Sequence, residues 1–353
     1  MNTASPKPQT PGSRSPALFA NSLAIGYKKA APIAANLDCA LLKGELVCLV
    51  GVNGAGKSTL LRTLAGMQPP LKGSVLLNGR DIRSIEPVQR AKQLAVVLTQ
   101  RGAPGVMSAF DLAALGRHPH TGWLGGLTQK DKAVVARCLE QTGALELADR
   151  PAFELSDGER QKVMIARALA QEPEVLILDE PTAFVDLPRR VELMGLLRLL
   201  AHERKMAVIC STHDLEIALS HADSFWLMEK GGLFTIGAPE DLVLSGSLER
   251  AFKAPGVDFD RLSGSFCVRR KPGRPVALLA GSRDEAWLWT QKALLRAGFD
   301  VKQNPDDAPV QIRISNEQNR PVWLLAANSG KEQRLDSIAR MLSALDGPGS
   351  REA

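Results

Sequence analysis

The segment Gly51-Val52-Asn53-Gly54-Ala55-Gly56-Lys57-Ser58-Thr59 limits what this 353-residue chain can fold into more than any other stretch. Its glycines interrupt both strand and helix, yet they join a buried apolar run, Leu46–Val50, to a helical pattern, Lys57–Ala65, that stops at Gly66. A strand, a glycine loop and a helix in this order let successive backbone N–H groups turn toward one anion. The helix N-terminus adds its positive dipole end. The loop residues Asn53, Gly54, Ala55, Gly56 and Thr59 would surround the phosphates of a nucleotide. Lys57 would reach the β- and γ-phosphates, and the Ser58 hydroxyl would ligate Mg²⁺.

The rest of the first 250 residues alternates. Asn21–Tyr27, Ser74–Asn78 and Leu94–Leu98 read as further strands, the last leading into Gln100. Between Gln100 and Leu155 the pattern turns helical. Ser108 with Asp111, and Thr128 with Asp131, have the spacing of helix starts, and Val134, Val135, Cys138, Leu139 and Thr142 share one face. A buried strand then runs from Val175 to Asp179, and a helix from Pro188 carries Val191, Met194, Leu197 and Ala201. A second buried strand, Ala207–Cys210, precedes a helix at Leu215–Leu219, and Ser224–Met228 with Leu233–Ile236 form a hairpin. Alternating strands and helices predict an α/β fold with a mainly parallel sheet, a helical insert at about 101–160, and ligands at the carboxyl ends of the strands. Beyond about Lys253 prolines and a basic stretch, Arg269–Arg274, lead into a second pattern: strands at Val276–Leu279, Val310–Ile314 and Val322–Leu325, and helices at Asp284–Ala297 and Gln333–Leu345. Residues 253–353 thus predict a small α/β extension, residues 21–252 the nucleotide-binding domain, and residues 1–20, rich in Pro, Ser and Thr, a disordered tail.

Asp179 and Glu180 end a buried run, an expensive place for adjacent carboxylates unless a cation compensates. Asp179 is expected to hold Mg²⁺ through water, Glu180 to polarise the attacking water, and Gln100 to touch the metal or that water. His213 follows the second buried strand, where it reads either as a structural histidine or as a contact to a γ-phosphate. Ser156 and Glu159 form a capping box, and the same helix start, with Gly158 permitting close approach, is also an anion site. Because the phosphate loop already serves its own nucleotide, a second anion site points to a nucleotide held by another copy, in a head-to-tail homodimer. Asp186, ahead of Leu187-Pro188, fits a helix N-cap.

The net charge is +6, aromatics make up 5%, and basic residues are scattered, which gives no base-stacking surface and no expectation of nucleic acid. The cysteines Cys39, Cys48, Cys138, Cys210 and Cys267 are dispersed and read as reduced core thiols. No apolar run approaches the roughly 20 residues that span a bilayer, and the N-terminal residues lack an apolar signal core. The expectation is a chain on the cytoplasmic face of the membrane, held there by a partner.

Taken together, Tyr27, the phosphate loop, Gln100, Leu155-Ser156-Asp157-Gly158-Glu159, Asp179-Glu180, Asp186 and His213 resemble the ATP-binding cassette of ABC transporters over residues 21 to about 250. The resemblance implies a P-loop NTPase cassette with an added antiparallel β part, and ATP and Mg²⁺ as cofactors. It also implies adenine stacking on Tyr27, a switch role for His213, and communication across the dimer by Asp186. Asp157-Gly158-Glu159 departs from the commoner Gly-Gly-Gln but keeps the serine and the second glycine. Leu115-Gly116-Arg117-His118-Pro119-His120 and Pro181-Thr182-Ala183-Phe184-Val185-Asp186 further resemble the ATPase subunits of bacterial importers for iron(III)-siderophores, haem and vitamin B12. Membrane permease subunits and a periplasmic or surface substrate-binding protein are the implied partners. His118 and His120 read either as a metal pair or as a family-typical loop. The alternative function is a non-transport ABC ATPase such as an iron–sulfur assembly ATPase.

Overall fold

A computed structural model describes residues 16–98, 106–122, 125–261, 263–268, 273–280, 284–317, 320–327 and 332–346. These form two compact units, one running to Ala254 and including Phe259–Phe266, the other holding Pro255–Asp258 and the chain from Cys267 onward.

In the first unit, β1 (Pro16–Ile25), β2 (Ala34–Leu42), β4 (Lys72–Leu77) and β5 (Arg80–Asp81) form an antiparallel sheet in the order β2-β1-β4-β5. Strand β1 begins at Pro16, which corrects the expectation of a tail through residue 20. Ala17, Leu18 and Ala20 are buried, and their burial outweighs the composition ahead of them. Strand β3 (Glu45–Val50) leads to α1 (Lys57–Leu64), and α2 (Pro87–Gln93) leads to β6 (Leu94–Val97).

The insert then contributes α3 (Ala109–Ala114), a 3-10 segment at Leu115–His120, and α4 (Gln129–Gln141). Helix α5 (Asp157–Leu169) returns to the sheet through β7 (Val175–Leu178). Helices α3, α4 and α5 each open on a complete capping box, from Ser108 and Asp111, Thr128 and Asp131, and Ser156 and Glu159. Next come α6 (Leu187–Arg204), β8 (Ala207–Ser211), α7 (Leu215–His221), β9 (Ser224–Met228), β10 (Phe234–Gly237), α8 (Pro239–Leu244) and α9 (Ser247–Ala251). The central sheet has the order β10-β9-β3-β8-β7-β6, parallel except for the β9–β10 hairpin. One apolar cluster fills the space between this sheet and the antiparallel one, and another lies on the side of the insert. Val191, expected on the buried face of α6, is instead exposed, and Leu193, Met194, Leu197, Leu200 and Ala201 are buried.

A two-stranded hairpin, β11 (Val257–Asp260) with β12 (Ser265–Val268), follows. The second unit then holds β13 (Pro275–Ala280), α10 (Glu285–Arg296), β14 (Asp300–Lys302), β15 (Val310–Glu317), β16 (Arg320–Ala327), β17 (Glu332–Leu335) and α11 (Ile338–Asp346). Its sheet order is β14-β13-β15-β16-β17, and the core includes Leu278, Trp287, Leu294, Ile312, Trp323 and Met341. The closing helix expected over Gln333–Leu345 is therefore split. Glu332–Leu335 pairs with β16 as an edge strand, and the helix starts at Ile338. Of the basic stretch, Arg269–Lys271 lie outside the described residues. Arg274 stacks over Phe299 and bonds the Leu345 carbonyl, so it is part of this unit's packing, not a free linker charge. Among the described residues no helix is long and apolar enough to cross a membrane. Four cysteines are buried as expected, but Cys267 is exposed.

Candidate nucleotide-binding and hydrolysis site

The strand that feeds the phosphate loop lies in the middle of the parallel sheet, between β8 and β9. Close packing there sets the sequence of the loop. A Cβ on Gly51 (φ 153°) would stand 2.1 Å from the Met228 carbonyl oxygen, and one on Gly56 (φ 106°) 2.6 Å from Ile33 Cγ2. Only glycine lets the backbone turn this tightly against its neighbours. Lys57 is buried, and its Nζ donates to the Gly51 (2.8 Å) and Val52 (3.2 Å) carbonyls. Burial lowers the pKa of its ammonium, against the opposing pull of the Glu180 and Asp179 carboxylates.

The in-register pairing of β7 with β8 matches Leu178 with Cys210 and so sets Asp179 beside Ser211. The Ser211 hydroxyl donates to Asp179 Oδ1 (2.7 Å) and accepts from the Glu180 amide (2.9 Å). Ser58 Oγ reaches the same Asp179 oxygen at 3.1 Å, and His213 Nε2 meets Glu180 Oε1 at 2.5 Å. Glu180 has φ 51°, a left-handed conformation that a non-glycine residue adopts only when its surroundings hold it. A continuous hydrogen-bonded chain therefore runs Ser58–Asp179–Ser211–Glu180–His213 at the carboxyl ends of β7 and β8. The oxygens of Ser58 and Asp179, side by side at the start of α1, are hard donors of the kind Mg²⁺ takes. Gln100 lies outside the described residues.

Tyr27 is exposed, and it sits in the turn that follows β1. Ile33, which closes that turn by donating its amide to the Ile25 carbonyl, is also the residue against Gly56. The turn and the phosphate loop are thus neighbours.

A second cluster forms at the start of α5. Ser156 N and Oγ both donate to Glu159 Oε2 (2.8 and 2.9 Å), and Arg150 holds the other Glu159 oxygen at 3.2 Å. These bonds, the backbone amide of Ser156 first, lower the Glu159 pKa. Arg189 was not singled out from the sequence. Its Nη1 donates to Ser156 Oγ at 3.2 Å, and its Cδ would be 3.1 Å from a Cβ on Gly158. Asp186 caps α6 by accepting from Arg189 N at 3.1 Å, as the sequence indicated.

The Leu115–His120 segment clamps the far end of α5. A Cβ on Gly116 would come within 2.0 Å of the Arg167 carbonyl oxygen. The buried Arg117 donates to Asp131 (2.9 Å), to the Ala170 carbonyl (2.8 Å) and to Glu172 (2.7 Å). His120 Nε2 meets the Gln171 carbonyl at 2.8 Å. The Thr128 hydroxyl and amide, with help from Arg117, push the Asp131 pKa down to about 2. These contacts give Gly116, Arg117 and His120 a structural use, and no group of three or more metal-binding side chains occurs among the described residues.

Residues 34–183 match the family described as ABC transporter, and residues 273–346 match the iron ABC transporter C-terminal domain. An uncharacterized ABC transporter ATP-binding protein of Methanocaldococcus jannaschii is 42% identical over 255 residues, which is 72% of this chain and 88% of the relative. The chain belongs to the ATP-binding subunits of ABC transporters. It is an ABC ATPase, which hydrolyses ATP. An iron(3+)-hydroxamate import ATP-binding protein of Bacillus subtilis is 34% identical over 236 residues, covering 67% of this chain and 87% of the relative. Among solved structures, a cassette of Clostridium perfringens that is part of the ABC transporter complex cbiONQ superimposes with a TM-score of 0.58 at 27% identity. It covers 67% of this chain and 93% of that one.

Proposed function

We propose that this cassette energises uptake of an iron(III) chelate through separate membrane permease subunits, from the cytoplasmic face of the membrane and with a substrate-binding protein on the other side. The cargo reading rests on the iron-family C-terminal domain and on the hydroxamate-import relative. Two copies would close head-to-tail. Each ATP would then lie between the phosphate loop of one copy, from Asn53 to Thr59, and Ser156 to Gly158 of the other. Tyr27 would stack on adenine, and Asp186 would communicate across the interface. The helical insert would carry closure to the permease.

The hydrogen-bonded chain Ser58–Asp179–Ser211–Glu180–His213 carries the hydrolytic reading. Ser58, Asp179 and Gln100 would hold Mg²⁺, which neutralises charge on the phosphates. Lys57 would leave its two carbonyl partners for the β- and γ-phosphates. Glu180, anchored at its amide by Ser211, would take the proton of the attacking water. The water oxygen bonds to the γ-phosphorus as the bond to the β-bridging oxygen breaks, with ADP as the leaving group. His213, already on Glu180, would hold that carboxylate and contact the γ-phosphate.

Uptake of radiolabelled ferric siderophore in cells carrying Lys57→Ala tests the cargo, with labelled haem and cobalamin in parallel. Loss of ferric siderophore uptake alone supports the reading. Loss of haem uptake alone also supports it and names haem as the chelate, loss of cobalamin uptake alone reassigns the cargo, and unchanged uptake of all three removes the iron-chelate assignment.

A further inference from the structure

Helix α10 is tied to its own unit on one side and carries a large apolar surface on the other. Asp284 caps its start by accepting from the Trp287 amide at 3.0 Å. Trp287 and Leu294 enter the core, and the buried Thr290 hydroxyl accepts from Trp323 Nε1 at 2.7 Å. On the outer side, Trp289 is 53% exposed, Leu288 43% and Leu295 36%. The outer face of a surface helix is ordinarily polar, and an exposed apolar stripe edged by charges marks a contact surface.

The charges on that face are ordered. Glu285, Trp289, Lys292 and Arg296 follow one another at spacings of four, three and four, with Leu288 and Leu295 beside them, so all lie on one face. Glu285 stands in the first turn and Arg296 in the last. Both are exposed, and neither has a hydrogen bond or ion pair among the described residues. Lys292 Nζ lies 4.8 Å from the centre of the Trp289 ring. An interface around a two-fold axis must be self-complementary, and this face is. A two-fold axis midway between Trp289 and Lys292 is also midway between Glu285 and Arg296. Two α10 helices laid antiparallel across it would set Glu285 of each copy against Arg296 of the other at both ends. In the middle, Trp289 of each copy would meet Lys292 of the other, a cation–π contact, with the leucines alongside. Parallel pairing would set like charges opposite each other, and an anionic membrane would match Lys292 and Arg296 but not Glu285.

We propose that α10 is a self-complementary contact between the second units of two copies, antiparallel and centred between Trp289 and Lys292. The helix has 12 residues and is about 18 Å long. Two helices of that length cover less than the roughly 1,000 Å² that a stable interface buries. The contact is therefore weak alone and gains strength where a second contact already holds the copies together. It needs no nucleotide, and it stands apart from the head-to-tail closure proposed for the cassettes.

The test mixes two full-length chains, one carrying Glu285→Cys and the other Arg296→Cys, both with Glu180→Gln and Cys267→Ser. The remaining native thiols are buried and should not react. A short bis-maleimide should give a mixed cross-linked dimer both without nucleotide and with Mg·ATP. Glu285→Cys alone should give little, because its two copies would lie about 16 Å apart along the helices. In sedimentation of the otherwise native chain without nucleotide, Glu285→Arg should weaken self-association about 10-fold, and Glu285→Arg/Arg296→Glu should restore it. Trp289→Ala should weaken it about 10- to 100-fold, the scale of a buried aromatic anchor. An ATP-dependent dimer that yields no mixed cross-link overturns the α10 contact and leaves the head-to-tail reading standing. A mixed cross-link with no ATP-dependent dimerisation does the reverse. Failure of the double charge swap to restore association overturns the proposal, as does Trp289-dependent binding to anionic lipid vesicles in place of self-association.

Discussion

Replacing Ser211 with alanine tests how the hydrolytic geometry is held. The hydroxyl is fully buried and serves two groups, donating to Asp179 at 2.7 Å and accepting from the Glu180 amide at 2.9 Å. A hydrogen bond to a charged group contributes roughly 1.5–3 kcal/mol, and a buried amide left without a partner costs about 1–3 kcal/mol. Asp179 keeps its bond from Ser58, which limits the first loss. The expected destabilisation is therefore about 2–4 kcal/mol. The second consequence is catalytic. Without its amide anchor, Glu180 is freer to leave its φ of 51°, and the carboxylate loses its fixed position. A loss of positioning of this kind should lower kcat by about 10- to 100-fold with little change in KM for ATP. Urea unfolding and steady-state ATPase on the same preparation read both effects. Ser211→Cys, which keeps the shape but bonds more weakly, should fall between the two. Native kcat together with a stability change under about 0.5 kcal/mol in Ser211→Ala would refute the reasoning.

Arg117→Leu should destabilise the protein by about 1–3 kcal/mol in urea unfolding, because it removes the bonds to Asp131 Oδ1 and to the Ala170 carbonyl, while Thr128 still donates to the other Asp131 oxygen. The double variant Arg117→Leu/Asp131→Asn should recover part of that loss. The pKa of Asp131 is depressed from 3.8 to about 2, so its contribution is present above about pH 4 and is lost as pH falls toward 2. Asp131→Asn should therefore lose less stability than the native chain between about pH 4 and pH 2 in acid titrations followed by circular dichroism.

Much of the site was legible because its chemistry is written in contiguous segments. The phosphate loop, Asp179-Glu180 and His213 each sit at the end of an apolar run that can only be a buried strand, and the structure places them there. The capping boxes at Ser108, Thr128 and Ser156 were equally plain, since each needs only residues three apart. What escaped depends on pairing between distant segments. Ser211 matters because β7 and β8 align Leu178 with Cys210, and nothing local signals that register. Arg189 reaches Ser156 only through the fold. Strand β2 was missed because its burial alternates irregularly and Asn36, at φ 56°, breaks its register with β1. The edge strand Glu332–Leu335 is polar and borders a helix, so its composition continued the helical pattern. The Gly116-Arg117-His118-Pro119-His120 run read either as a metal pair or as a family-typical loop, and only the fold shows that Gly116, Arg117 and His120 secure the end of α5.

The central claim is that Glu180 takes the proton in hydrolysis at an interface shared by two copies. The most direct measurement is ATP turnover and bound-nucleotide stoichiometry of Glu180→Gln, read with size exclusion in Mg·ATP. Hydrolysis should fall by about 10²–10⁴-fold, the scale for removing a general base, while the protein accumulates as a dimer with one ATP per chain. Near-native turnover, or a nucleotide-loaded protein that stays monomeric, would contradict the account.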